Sequence, residues 1–234
     1  MSFFEGSVAK RVLDAAGIVL LDWEVCAPGM DVAEIFQGKI ENRPADAAPK
    51  IPMMTARRLS AGSRHAIQAA LGVHARNPAN ALVFASRHGE SERTTQIITA
   101  LAADAAISPT NFTMSVHNAA VGQFAITAQE TLPSVSISAG TDTFRQSLHE
   151  ARAFLEAGFE RVLHVDFETG FPDVYRPFCP ESFPAYAVAF LWGKKRDGQG
   201  AALAAAFPKC RENDGAMPPS LAFLREYLCE KTAI

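Results

Sequence analysis

The residues with the most chemistry to offer form a short run, Arg87-His88-Gly89-Glu90, directly after the apolar segment Ala81-Leu82-Val83-Phe84-Ala85. A His at the end of a strand and beside a helix N-terminus would meet an anion in a positive dipole field. The same four residues also suit a loop that merely caps a helix. A second polar pair, His117-Asn118, reads as a packing or hydrogen-bonding pair. The basic triplet Lys194-Lys195-Arg196 either forms a solvated turn or attracts an anionic partner. The four cysteines, Cys26, Cys179, Cys210 and Cys229, are far apart, with no C-x-x-C and no His at ligand spacing. That pattern predicts free thiols, no zinc site and no metal.

These groups must be positioned by a chain of 234 residues, 48% hydrophobic and 20% charged, enough for a sizeable core. Its mean hydropathy of +0.04 and 16 Phe exclude a disordered chain. With 22 basic and 25 acidic side chains (22 − 25 = −3), no basic surplus points to nucleic acid. No apolar run reaches the ~20 residues of a membrane span. The start, Met1-Ser2-Phe3-Phe4-Glu5, lacks a signal-peptide pattern, so the expectation is a cytoplasmic protein.

Apolar runs at 17–21, 81–85, 134–138, 161–165 and 186–192 read as strands. Helices are expected over 59–71, capped by Ser60 or Ser63 and closed by Gly72, and over 90–105. Residues 31–52, broken by Asn42, Pro44, Pro49 and Pro52, read as loop, and Ser108-Pro109 as the end of the second helical unit. A third helix fits 116–128. A fourth follows Gly140, with Phe144, Leu148, Ala151 and Leu155 as one apolar stripe beside Arg145, His149, Arg152 and Glu156. Pro218-Pro219 opens a last helix to about Leu228. Strands alternating with helices predict a single α/β domain over 1–234.

Arg87-His88-Gly89-Glu90 resembles the signature of histidine phosphatases, which implies a phosphohydrolase with His88 phosphorylated and Arg87 clamping the phosphate. Here some 80 residues precede the motif, whereas that family carries it on its first strand. A longer pattern resembles a different family. It comprises 112–126 with His117-Asn118, the run from Pro133 to Gly140, Ser86-Arg87-His88-Gly89-Glu90, and 165–175 with Asp166 and Glu168. Together these resemble the N-terminal half of the β-ketoacyl synthases of the thiolase superfamily. The nearest type is the short form of aryl-polyene, type II polyketide or fatty-acid systems. The resemblance covers about 15–195, leaving 196–234 as a C-terminal extension. It implies a single thiolase-like half, a mixed β-sheet flanked by helices.

Condensing enzymes place a nucleophilic Cys after the Ser-rich strand, where the helix dipole favours the thiolate. By resemblance that position is Thr141, flanked by Ser138 and Asp142, with His117 and Asn118 close to the strand. A threonine hydroxyl is a far poorer nucleophile and needs an adjacent base. The groups that would polarise a thioester lie, in the family, in a C-terminal half that this sequence does not show. The expectation is a protein without condensing activity of its own. Its partners would be an acyl carrier protein or a complete ketosynthase, in a homo- or heterodimer through strand 134–138. No cofactor is expected beyond a phosphopantetheine-bound acyl group on a partner. A third reading, an acyl-thioester hydrolase or acyltransferase using Ser138 or Thr141, stays open.

Overall fold

The computed structural model describes residues 17–38, 40, 50–178, 183–194 and 217–229. Two runs rich in β-branched and aromatic residues form nine-residue strands: β1 (Ile18–Cys26) and, at the other end, the strand Tyr186–Lys194. Between them come α1 (Val32–Ile35), α2 (Met53–Ala56), α3 (Ala61–Arg76) and β2 (Ala81–Ala85). There follow α4 (Ser91–Ala102), α5 (Pro109–Thr113), α6 (Ala119–Ala128) and β3 (Ser134–Ile137). A 3-10 turn, Gly140–Asp142, leads into α7 (Thr143–Glu156), then β4 (Arg161–Glu168). The 3-10 segment Asp173–Phe178 precedes β5 (Tyr186–Lys194), and α8 (Pro219–Cys229) ends the described chain.

The sheet order is β1-β5-β4-β2-β3. The pairs β1/β5 and β5/β4 are antiparallel, whereas β4/β2 and β2/β3 are parallel, so the sheet is mixed as expected. Strand periodicity sorts the side chains into two layers. Val188, Phe190 and Trp192 of β5 face α7 and α8 with Phe144, Leu148, Leu221 and Leu224. Ala187, Ala189 and Leu191 face α3 and α6, with Ile67, Leu71 and Phe124. The stripe Phe144, Leu148, Ala151, Leu155 is buried in the first layer. Same-parity residues on β4 run His164, Asp166, Glu168, a polar row rising through that layer toward the C-terminal ends of β4 and β2.

Several boundaries differ from the sequence reading. β1 runs five residues beyond Leu21, because Asp22 and Glu24 are neutralised by Arg76, at 2.9 and 2.7 Å. Gly72 does not close its helix; it lies inside α3, where a Cβ would run into the Glu24 carboxylate, 2.6 Å from its carbon. Ser60 is the cap, accepting from the Ser63 amide at 3.3 Å. Ser108 and Pro109 start α5 rather than ending a unit, α1 interrupts the expected loop, and α2 follows directly after it. Most of the extension from 196, with Lys195 and Arg196, lies outside the described residues, as do Cys179 and Cys210.

Candidate functional site

The C-terminal ends of the parallel strands β2, β3 and β4 meet in a set of turns built around buried carboxylates. The turn from β2 to α4 is Ser86-Arg87-His88-Gly89-Glu90. Gly89 takes φ +53°, and its amide donates to Ser86 Oγ at 2.8 Å. A side chain there would crowd the His117 ring, 3.0 Å from the Cβ position. His117 Nε2 donates to the Ser86 carbonyl at 2.9 Å, so His117 pins this turn, the hydrogen-bonding role expected of it. Asn118 supplies backbone at the start of α6, accepting from the Gly122 amide at 3.0 Å.

Glu168, at the end of β4, places its carboxyl group where an anion would sit in this turn. Its carboxylate accepts from the Arg87 amide in a short hydrogen bond and from the His88 amide at 3.3 Å. Burial, then the charge of Asp166, push its carboxyl up to about 8. Asp166 is raised to about 6 by burial and accepts from the Tyr186 hydroxyl at 3.1 Å. Glu90 is likewise fully engaged by its neighbours. It accepts from Ser60 Oγ at 2.8 Å, from Ser63 Oγ, and from Arg93 Nε at 3.0 Å. Arg93 also donates to Asn111 Oδ1 at 3.0 Å and to the Arg58 carbonyl.

This geometry corrects the phosphatase-like reading of Arg87, His88 and Glu90. The amides that would cradle a phosphate already hold the chain's own Glu168. The His88 ring packs on Phe171 at 4.5 Å between centroids, and burial beside Arg87 lowers its pKa, which favours the neutral ring. Glu90 is an internal anchor for the start of α3, with Ser60 also 3.1 Å from Thr169 Oγ1.

The neighbouring turn, from β3 to α7, carries the expected nucleophile position. Ser138 Oγ donates to the Arg87 carbonyl at 3.0 Å, which ties the two turns together. Gly140 takes φ +61°, and Thr141 is exposed in the 3-10 turn that follows. Asp142 forms a two-pronged pair with Arg145, at 2.5 and 3.3 Å. The turn ahead of the helix is held by the first residue of α7, which the sequence reading does not single out. Thr143 Oγ1 accepts from the Ala139 amide at 2.9 Å and donates to the Gly140 carbonyl at 2.8 Å. Thr143 and Tyr186 are absent from the sequence reading, whereas Ser86, Asp166 and Glu168 enter it only as part of the resemblance, with no role assigned. Besides that pattern, period two along β4 is the signal that places Asp166 and Glu168 on one face.

His164, inside β4, is wholly buried and stacks between Phe144 and Phe190 at 5.6 and 5.7 Å. Trp192 Nε1 donates to its Nδ1 at 3.3 Å, so Nε2 carries the proton and donates to Ser147 Oγ at 2.7 Å. Ser147 donates onward to the Phe144 carbonyl at 2.8 Å. Burial lowers the His164 pKa to about 3, and the ring is a neutral part of the core. Among the described residues no group of three His, Cys, Asp or Glu could hold a metal, and no helix is long and apolar enough to cross a membrane.

A mixed sheet between two helical layers, with a Ser-rich third strand feeding a glycine turn and a long helix, defines a thiolase-like half. The chain belongs to the β-ketoacyl synthase family: the model of the β-ketoacyl synthase N-terminal domain matches residues 33–234. A similar solved structure is the ketosynthase ApeO in complex with its chain length factor ApeC from Xenorhabdus doucetiae. Identity is 41%, the TM-score is 0.68, and the match covers 76% of this chain and 79% of that one. The two aligned chains are therefore of nearly equal length. The ishigamide ketosynthase/chain length factor aligns at 17% identity and TM-score 0.60, over 79% of this chain and 64% of that one. The ketosynthase and acyl-carrier-protein complex AntDE:AntF aligns at 11% and 0.55, over 76% and 63%. In these two the chain spans just under two thirds of the matched protein, and the likeness is one of fold. No curated protein matches the chain.

Proposed function

We propose that this chain is the non-condensing member of a ketosynthase pair, a chain-length-factor-type subunit of aryl-polyene-type polyketide or fatty-acid biosynthesis. The carrying observation is Thr141 at the nucleophile position, exposed, with the hydrogen bonds of its turn made by Thr143, Asp142 and Arg145. A threonine there needs a base, and the adjacent carboxylate, Asp142, is paired with Arg145. The 41% identity to a chain of a ketosynthase–chain length factor complex supports the pairing.

The surface supports it too. β3 is the last strand of the described sheet and leaves one edge for a partner. The helix α4 has no buried residue and packs chiefly on the short α5. Ile98, Leu101 and Phe112 are 52%, 59% and 67% exposed, and residues 94–129 hold one formal charge, Asp104. Exposed apolar helices depleted of charge fit a buried subunit interface.

The test is to assay the chain alone and with a complete ketosynthase, using malonyl- and acyl-loaded carrier protein. The expected result is co-elution as a heterodimer and condensation only in the pair, unchanged by Thr141→Ala. Condensation by the chain alone, abolished by Thr141→Ala, would overturn the reading. An acyl adduct on Ser138 or Thr141 in peptide mass spectrometry would instead favour an acyltransferase.

A further inference from the structure

We propose that Arg93 is the positioning residue of the pairing face: it fastens α4 and α5 to the body of the fold and so fixes the apolar surface offered to the ketosynthase partner. This rests on the function proposed above and gives its interface a control point inside the chain. From Ser91 to Thr113 no residue is buried, and burial resumes only at Met114. The two helices therefore rest on no buried side chain of their own, while Ile98, Leu101 and Phe112 stand exposed. Such a unit cannot be held in place by an apolar core, which is how most helices are held. What holds it is a buried polar clamp.

The side chains of Arg93 and Glu90 are only 12% and 3% exposed. Arg93 Nε donates to Glu90 Oε2 at 3.0 Å, one terminal nitrogen to Asn111 Oδ1 at 3.0 Å, and the other to the Arg58 carbonyl. One guanidinium thus joins the turn before α4, the middle of α5 and the chain ahead of α3. Both ends of this clamp are themselves held. Glu90 accepts from Ser60 and Ser63 at the start of α3, and its carbonyl accepts from the Thr94 amide at 3.1 Å. Asn111 Nδ2 donates to Gln96 Oε1 at 2.8 Å, which ties α5 back to α4. A planar fork of five donors can meet three acceptors in three directions, and a lysine ammonium on a flexible stem cannot hold that geometry. Arg93 and Gln96, three apart, share one face of α4, and Ile98 and Leu101, three apart, share another. A rotation of α4 about the clamp would therefore carry the apolar side chains with it. A surface already fixed before the partner arrives loses less freedom on association and binds more tightly.

The experiment titrates the full-length chain with a complete ketosynthase and follows backbone order by hydrogen–deuterium exchange. Arg93→Ala should weaken pairing about tenfold and speed exchange over 91–113, with the amides of β2 and β4 as protected as in the parent. Arg93→Lys keeps a cation beside Glu90, so it should melt close to the parent and still lose affinity severalfold. Asn111→Ala, which leaves the Glu90 pair intact, repeats the test should Arg93→Ala disturb folding. Combined with Arg93→Ala it should add little, because both substitutions open one clamp. Leu101→Ala should weaken pairing with exchange unchanged, since it removes a contact and not its support. Arg225→Ala, exposed on α8, should change neither. Saturating ketosynthase should return the exchange of Arg93→Lys over 91–113 to that of the paired parent, a recovery that a purely structural arginine would not show. Parent-like pairing by folded Arg93→Lys and Asn111→Ala would overturn the proposal. So would loss of protection in β2 and β4 in step with 91–113, or failure of the ketosynthase to restore it. If the wild type pairs with a ketosynthase and ignores these substitutions, only the role of Arg93 fails. If it pairs with no ketosynthase, the proposed function fails and takes this role with it.

Discussion

Replacing Gly62 by alanine should destabilise the fold even though alanine is the better helix former. Gly62 lies in the first turn of α3, and a Cβ there would run into the Glu168 carbonyl, 2.5 Å from its carbon, and sit 2.6 Å from Thr169 Cα. Both are backbone atoms at the end of β4, so no rotamer change relieves the contact. Helix propensity favours alanine by at most ~1 kcal/mol. Overpacking costs ~1–3 kcal/mol. Opening the gap also pulls Ser60 and Ser63 from Glu90, and each hydrogen bond to a charged group is worth ~1.5–3 kcal/mol. With one of those two hydrogen bonds lost, the net expectation is a loss of about 2–5 kcal/mol, or roughly 4–20 °C in melting temperature for a chain of this size. Urea unfolding gives the free energy, and a scanning melt gives the shift. Gly122, exposed on α6 with nothing within 4 Å of its Cβ position, is the built-in comparison. There alanine should stabilise by about 0.5–1 kcal/mol. A Gly62→Ala variant as stable as the parent would refute the close-contact argument and the role given to the start of α3.

Three further outcomes follow from the buried groups. Glu168 is an acid whose folded pKa is raised to about 8, so the folded state keeps a proton the unfolded state loses near its ordinary value. Its contribution is therefore full at acid pH and fades as pH rises from about 4.5 to about 8, and Glu168→Gln should flatten that decline in urea unfolding measured across the range. His164 has the opposite sense. Its pKa is depressed to about 3, so its contribution holds above about 6.5 and is lost as pH falls toward 3. His164→Phe should remove that acid sensitivity while costing ~1–3 kcal/mol near neutrality, because Trp192 Nε1 loses its acceptor. Gly72→Ala should cost stability through the Glu24 carboxylate, and Glu24→Ala in the same chain should relieve the clash, as a double-mutant cycle of melts would show.

The sequence makes the sheet legible wherever apolar runs stand alone, as at Ala81–Ala85, and makes the α7 stripe legible by its spacing. It hides β1 beyond Leu21, since Asp22 and Glu24 look like solvent residues until Arg76, over fifty residues away, neutralises them. The same long-range pairing misplaces Gly72, whose missing Cβ serves the strand side chain and not a helix end. The site shows the contrast again. Thr141 and Ser138 are located by their position in a family pattern, and Ser138 is found in the turn cluster. The roles of Glu168 and Thr143, which hold the two turns, cannot be read there, because what they bond is backbone and backbone has no letter in a sequence.

That difference explains why Arg87-His88-Gly89-Glu90 resembles a phosphate site without being one. A strand end followed by a helix offers free amides to an anion, and any fold must fill or exploit them. A hydrolase would leave them open to solvent and place a nucleophile over them. Here Glu168 occupies the amides of Arg87 and His88, and Ser60, Ser63 and Arg93 occupy Glu90. The polar letters are the same in both cases. What separates them is whether the acceptor is a ligand or a carboxyl group from a neighbouring strand, and only the register that brings Glu168 to the end of β4, beside β2, decides it.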